Sequence, residues 1–130
     1  MNPLQQDLET VSRALQRVHK EILEVEGAYL PGRPAVSLLD RLLNDPAWAW
    51  LRPVSHLIAD LDETVAGDAG VTPGDATAAA GRVRALVFGL GEPRDERFLN
   101  RYRPLLQQSA ALASAHGELK RRVDALLPEA

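Results

Sequence analysis

The sequence contains no cysteine, which excludes disulfide bonds, thiolate metal sites and cysteine nucleophiles. Aromatic residues make up only 5% of the chain, and few residues favour β-strands, whereas leucine, alanine and arginine are frequent. No apolar run approaches the roughly 20 residues that a membrane-spanning helix needs, and the N-terminus does not resemble a secretory leader. The composition therefore predicts a helical protein that does not enter a membrane, and we expect it in the cytoplasm.

A concentrated positive charge is also lacking. The formal net charge is −3, whereas binding to nucleic acid normally requires a strongly basic surface. The chain has 130 residues, a length that encloses one hydrophobic core more readily than two. We therefore predict that residues 1–130 form a single domain that does not bind nucleic acid.

An uninterrupted heptad pattern of apolar residues near the N-terminus predicts a long amphipathic helix. Its members follow one another in alternating steps of four and three: Leu4, Leu8, Val11, Leu15, Val18, Ile22, Val25 and Tyr29. Asn2 and Pro3 suit the cap and the first position of a helix, and Gly32 and Pro34 suit the region beyond its end. We predict a helix from about Pro3 to Ala28, with this seam facing the protein interior.

Two further helices are predicted between residues 36 and 66. The apolar stripe within Val36–Leu43 indicates a short helix, after which Asp45 suits the cap and Pro46 the first position of a longer one. Pro53 lies inside this longer pattern. Because proline lacks an N–H and its ring crowds the carbonyl four residues earlier, the helix must bend or break near Arg52.

The C-terminal half of the chain predicts two more long helices. Thr72 and Asp75 form a capping-box-like start, and the core face of the helix that follows would contain Ala76, Ala79, Ala80, Val83, Leu86, Val87 and Leu90. The final helix has an apolar seam of Phe98, Tyr102, Leu105, Leu112, Leu119, Val123 and Leu126. We expect Pro104 to bend this final helix near Asn100 and Pro128 to end it.

Helices of this kind, each with one apolar side, pack most simply as an antiparallel bundle. We therefore predict an all-α fold of about four long helices and one short helix, with proline kinks near Pro53 and Pro104. Such kinks either wrap the helices around a compact core or hold open a cleft between two of them.

The segment Leu42–Glu63 reads LLNDPAWAWLRPVSHLIADLDE. It resembles a pattern of small uncharacterised bacterial helical proteins, in which a DPxxAWLRPxSxLI core precedes an acidic pair. The matching residues are Asp45, Pro46, Trp50, Leu51, Arg52, Pro53, Ser55 and Asp62, within about one sixth of the chain. The resemblance implies an all-helical fold and transfers no catalytic residue.

The three histidines are the first candidates for a chemical site. His56 and Asp60 lie one helical turn apart, and with His116 they could contribute to a metal or small-molecule site in a helical bundle. The alternative for the first two is an ordinary surface pair. For His116, which falls on the apolar seam of the last helix, the favoured interpretation is a core polar residue that fixes helix packing. His19 lies beside the first seam and is predicted to flank it.

Trp48 and Trp50 point in nearly opposite directions around a helix, so both cannot enter one core. Trp50 fits the inward period. Trp48 is then covered by the loop between Leu30 and Val36, which we slightly favour, or contacts a partner. Six arginines could form a basic patch for phosphate or an acidic partner, although a solvated helix face is favoured; they are Arg82, Arg84, Arg94, Arg97, Arg101 and Arg103.

No catalytic motif or cofactor motif is recognisable, so the sequence favours a noncatalytic protein over an enzyme. We expect a helical bundle without a cofactor that acts through protein–protein contacts, with a homodimer as the first candidate. The contact would use an apolar strip of the first helix or the surface around Trp48, Arg97 and Arg101. The alternative is a small-molecule or metal-binding bundle centred on His56 and Asp60, with His116 as a possible third residue.

Overall fold

The computed structural model describes residues 2–27, 42 and 44–127. Over these residues the chain forms α-helices and one 3₁₀ helix, and contains no β-strand. The α-helices are α1 (Pro3–Val25), α2 (Arg52–Ala66), α3 (Pro73–Phe88), α4 (Glu96–Leu105) and α5 (Ala110–Asp124), and the 3₁₀ helix is Pro46–Leu51. The predicted all-helical fold class is confirmed. No helix in this part of the chain is long and apolar enough to cross a membrane.

Helix α1 lies at the centre of the bundle, where it packs along α5 and α2 and also touches α3 and α4. It begins as predicted, because the Asn2 side chain accepts a hydrogen bond from the Gln5 amide and the Gln5 side chain accepts one from the Asn2 amide. It ends at Val25, where Gly27 adopts a left-handed φ of 71°. The predicted end near Ala28 lies outside the described residues.

The heptad seam of α1 is buried inside the molecule. Its central members have a solvent exposure of 0%: Leu8, Val11, Leu15, Val18 and Ile22. The antiparallel arrangement is compatible with the helix contacts, since α2 and α5 both cover this one helix. The seam is therefore unavailable as the apolar strip that we expected a second copy to use.

The break expected near Pro53 is present and divides two types of helix. Asp45 caps the 3₁₀ helix by accepting a hydrogen bond from the Ala47 amide at 2.9 Å. The α-helical pattern starts only at Arg52, so Pro53 occupies the first turn of α2, where its missing N–H costs nothing. The predicted short helix within Val36–Leu43 lies outside the described residues, apart from Leu42.

Helix α3 begins at the predicted capping box, in which Thr72 and Asp75 exchange hydrogen bonds of 3.0 and 3.1 Å. Six of its seven predicted core residues are buried. The prediction for Leu90 was wrong, since this side chain is 44% exposed. The cause is Gly89, whose φ of 67° ends the helix in the left-handed conformation and takes Leu90 off the core face.

The prediction of one bent final helix was also wrong, because the chain breaks into two helices after Pro104. Helix α4 ends at Leu105, and the Ser109 side chain caps α5 by accepting a hydrogen bond from the Leu112 amide at 3.1 Å. In a continuous helix, Tyr102 and His116 would lie about 21 Å apart along the axis. Instead their side chains are joined by a hydrogen bond of 2.7 Å. The break thus folds α5 back towards α4.

Candidate functional site

The three histidines lie in different environments and do not converge. His56 is exposed, and its predicted neighbour Asp60 accepts a hydrogen bond from the Arg82 guanidinium at 2.8 Å. His19 and His116 bond to different side chains on different helices. Across residues 2–27 and 44–127, no three histidine or acidic side chains are grouped closely enough to hold a metal ion. The set of His56, Asp60 and His116 therefore is not assembled by the fold.

His19 forms one of three polar contacts between α1 and α2. Its Nε2 lies 3.1 Å from the Ser55 hydroxyl, and further along the interface the buried Ser12 hydroxyl donates to Asp62 at 2.6 Å. Burial lowers the pKa of His19, so the neutral ring is favoured near pH 7. The spacing of His19 and Ser55 matches a base and nucleophile, but a triad also requires a third group that orients the base. Within the described residues, no such partner bonds to His19. The pair fixes the register of the two helices.

His116 belongs to a small aromatic cluster between α3, α4 and α5. Burial raises the pKa of Tyr102 and, together with the charge of Lys120, lowers the pKa of His116. Both groups are therefore neutral near pH 7, and the Tyr102 hydroxyl and Nδ1 of His116 share a hydrogen bond of 2.7 Å. The Phe88 ring stands edge-on to the imidazole at a centroid distance of 4.9 Å. This arrangement agrees with the predicted packing role of His116.

The two tryptophans differ in burial as expected. Trp50 is 2% exposed and stacks on Phe98 at a centroid distance of 5.9 Å, whereas Trp48 is half-buried against the edge of the core. The Arg101 guanidinium lies 5.1 Å from the Trp50 ring centre and 4.0 Å from a Glu26 carboxylate oxygen. Arg101 therefore has partners within its own chain. The loop predicted to cover Trp48 lies outside the described residues.

Arg97 is exposed and forms no ion pair with another described residue. Of the other arginines of the expected basic patch, Arg82 and Arg94 pair with Asp60 and Glu96, respectively. That Trp48, Arg97 and Arg101 contact a partner stays a prediction.

The residues that carry the family resemblance have structural roles. Asp45 caps the 3₁₀ helix, and the Arg52 guanidinium donates to the Leu42 and Asp45 carbonyl oxygens at 3.2 and 2.9 Å. These bonds hold the segment before the 3₁₀ helix against the start of α2. Pro53 lies in the first turn of α2, and Ser55 contacts His19 of α1. The segment therefore produces the change from the 3₁₀ helix to α2.

A first concave surface, here called the arginine cleft, lies between α2, α3 and the loop before α4. It has a volume of about 280 Å³ and is lined by Pro53, Leu57, Arg82, Leu86, Pro93, Arg94 and Asp95. The apolar members form the walls, and the two guanidinium groups provide donors. The Asp95 carboxylate caps α4 by accepting a hydrogen bond from the Phe98 amide at 2.9 Å.

A second concave surface, here called the α3–α5 groove, runs between α3 and the end of α5. It has a volume of about 340 Å³ and is lined by Ala78, Gly81, Arg82, Arg84, Leu90, Gly91, Glu92 and Leu127. Leu90 is the one large hydrophobic side chain that is exposed in the described part of the chain. A Cβ atom added at Gly81 would meet no other atom within 4 Å, so the floor of the groove is open.

A comparison with protein-family models finds no match, and comparisons with curated proteins and with solved structures also find none. The resemblance of Leu42–Glu63 to small bacterial helical proteins therefore stays a prediction.

Neither concave surface was predicted from the sequence. Both combine residues that are distant along the chain: Pro53 and Pro93 line the arginine cleft, and Ala78 and Leu127 line the α3–α5 groove. The one local signal was the pair Gly89 and Leu90, since a glycine after a helical pattern often ends the helix and would free the next side chain.

Proposed function

We propose that this chain is a noncatalytic helical bundle that acts through protein–protein contacts, and that its first partner is a second copy of itself. The observation that carries the proposal is the exposed Leu90 side chain, which lies in the α3–α5 groove. Exposed apolar patches rimmed by polar residues mark protein interaction sites, and Leu90 shares this groove with Leu127 and Ala78.

The groove has the shape that a neighbouring molecule requires. Ala78 and Gly81 leave its floor without large side chains, so a partner's Leu90 could approach the α3 backbone closely. Leu127 adds a half-buried apolar wall. In a twofold arrangement each copy offers one protruding leucine and one groove, so the two contacts are made together.

The charges around the groove are self-complementary. Arg84 and Glu92 both line it, and neither forms an ion pair with any residue in 2–27 or 44–127. Across a twofold axis, Arg84 of one copy faces Glu92 of the other. A net charge of only −3 for each chain adds little long-range repulsion.

The affinity should be modest. Full burial of a leucine contributes about 1.5–3 kcal/mol, so covering the 44% exposed Leu90 contributes about 1 kcal/mol for each copy. Two copies then contribute about 2 kcal/mol, which corresponds to a factor of about 30 in the dissociation constant. Leu90→Asp should therefore weaken the dimer by at least this factor, because the new carboxylate must also lose water.

Sedimentation velocity over a wide range of protein concentration tests the proposal. We expect wild-type protein to move from monomer to dimer with increasing concentration and Leu90→Asp to remain monomeric. Gln107→Asp is the matched control, since it adds the same charge at an exposed position outside the groove. Circular dichroism should confirm that each variant is folded.

Charge reversal then tests the orientation of the two copies. Arg84→Glu and Glu92→Arg should each weaken the dimer, and the double variant should restore it. A wild-type chain that stays monomeric at every concentration, or a dimer that persists in Leu90→Asp, would overturn the proposal.

A further inference from the structure

The arginine cleft has the features of a ligand site that differs from the proposed dimer contact. Its walls are formed by proline and leucine side chains from α2, α3 and the loop before α4. At roughly 30 Å³ for each water-sized group, its volume of about 280 Å³ accommodates about nine non-hydrogen atoms. This size suits a small metabolite and is too small for a peptide helix.

The two guanidinium groups of the cleft retain donors for a ligand. Arg82 uses one terminal nitrogen to bond Asp60 at 2.8 Å, and Arg94 uses one to contact Glu96 at 3.0 Å. A guanidinium has five N–H groups, so each arginine has further donors beyond these contacts. The ion pairs are also weak, because their side chains are between 39% and 60% exposed.

The chemistry of the cleft selects a single negative charge. The forked N–H groups of arginine match the two oxygens of a carboxylate. The resident Asp95 carboxylate, which also lines the cleft, disfavours a doubly charged group such as phosphate by repulsion. The leucine and proline walls require an apolar body behind the charged group.

We propose that the arginine cleft binds a small monocarboxylate with a short apolar chain. Arg82 and Arg94 bind the carboxylate oxygens, and the side chains of Leu57, Leu86 and Pro93 contact the apolar chain. Arg94 is the more informative residue, since Arg82 also lines the α3–α5 groove.

Hexanoate is a suitable probe, and hexanamide is its uncharged control of nearly the same shape. In a titration followed by amide NMR shifts, hexanoate should perturb residues around Leu57, Leu86 and Arg94 and saturate at roughly millimolar concentration, as expected for so small a ligand. Hexanamide should bind at least about tenfold more weakly, because loss of a charge-assisted bidentate contact costs about this factor. Inorganic phosphate should also bind more weakly, because it lacks the apolar chain and is repelled by the Asp95 carboxylate.

Variants of the cleft complete the test. Arg94→Gln should weaken hexanoate binding by about tenfold or more, whereas Arg97→Gln, which removes an exposed arginine outside the cleft, should leave it unchanged. Arg94 does not line the α3–α5 groove, so Arg94→Gln should leave the monomer–dimer equilibrium unchanged. The proposal is wrong if hexanoate produces no saturable shifts, if hexanamide binds equally well, or if Arg94→Gln has no effect.

Discussion

The hydrogen bond between Tyr102 and His116 allows a direct test of the break between α4 and α5. Tyr102 is fully buried, so in Tyr102→Phe the ring can keep its place while Nδ1 of His116 loses its hydrogen-bond partner. Loss of a hydrogen bond costs about 0.5–1.5 kcal/mol, and a polar group left unpaired in the interior costs about 1–3 kcal/mol. Because His116 is only half-buried, water can partly replace the hydroxyl. We expect a loss of about 1–2 kcal/mol in the free energy of unfolding.

A double-mutant cycle isolates this interaction. Tyr102→Phe, His116→Gln and the double variant should be compared by urea unfolding, followed by tryptophan fluorescence and circular dichroism. We expect a coupling energy of at least about 0.5 kcal/mol, as for side chains in direct contact. In one continuous helix the two residues would lie about 21 Å apart, and their effects would be additive. Additive effects would therefore refute the observed break.

Three further predictions concern single positions. Stability should fall as the pH drops below about 6.5, because burial lowers the pKa of His19 from its usual 6.5 and the folded state then binds fewer protons than the unfolded state. The urea midpoint of His19→Gln should change less with pH than that of the wild type. Arg52→Ala should lower the free energy of unfolding by about 1–3 kcal/mol, since it removes two bonds to backbone carbonyls, whereas the exposed Arg97→Ala should stay within about 0.5 kcal/mol in the same urea assay. Gly89→Ala should lower the melting temperature, because φ is 67° and the new Cβ would lie 2.6 Å from a guanidinium nitrogen. Gly117→Ala, which lies inside α5 with open space around it, should raise the melting temperature. The reverse order of melting temperatures would contradict the described turn at Gly89.

Helix starts were predictable because their determinants are local. Each of these helices has a cap residue whose side chain accepts a hydrogen bond from a backbone amide no more than three residues later; the caps are Asn2, Asp45 and Thr72. Both partners of the capping bond are therefore close together in the sequence. The inward seam of α1 was predictable for a similar reason, since one apolar face of a long helix must be covered. These features required no knowledge of the neighbouring helices.

The end of α4 was not predictable in this way. A proline within a helical pattern is compatible with a bend, as expected at Pro104, or with a stop shortly after it, as observed. Ser109 as a cap and the contact of Tyr102 with His116 stabilise the stop, and the second of these is a tertiary interaction. In one continuous helix, the period set by Leu105 and Leu112 would instead place Ser109 on the interior seam.

The candidate sites depend even more on tertiary structure. His56 and Asp60 were grouped from helical spacing, but Arg82 of α3 approaches Asp60 and His56 remains at the surface. The arginine cleft forms because α2 and the loop before α4 approach one another, an arrangement that no local pattern encodes. Leu90 was predicted to lie in the core because it continues the apolar period of α3. The helix ends before this position, so the side chain is exposed.

The most direct test of the proposed function is an intermolecular paramagnetic relaxation measurement. The chain lacks cysteine, so Thr77→Cys provides a single attachment point for a spin label on the exposed surface of α3 beside the groove. The labelled chain is mixed with ¹⁵N-labelled wild-type chain. Broadening of the Leu90 and Gly91 amides in the ¹⁵N-labelled copy is expected if two copies meet at the α3–α5 groove. Unchanged amide signals at these positions, at a concentration where sedimentation detects dimer, would contradict the proposed contact at the α3–α5 groove.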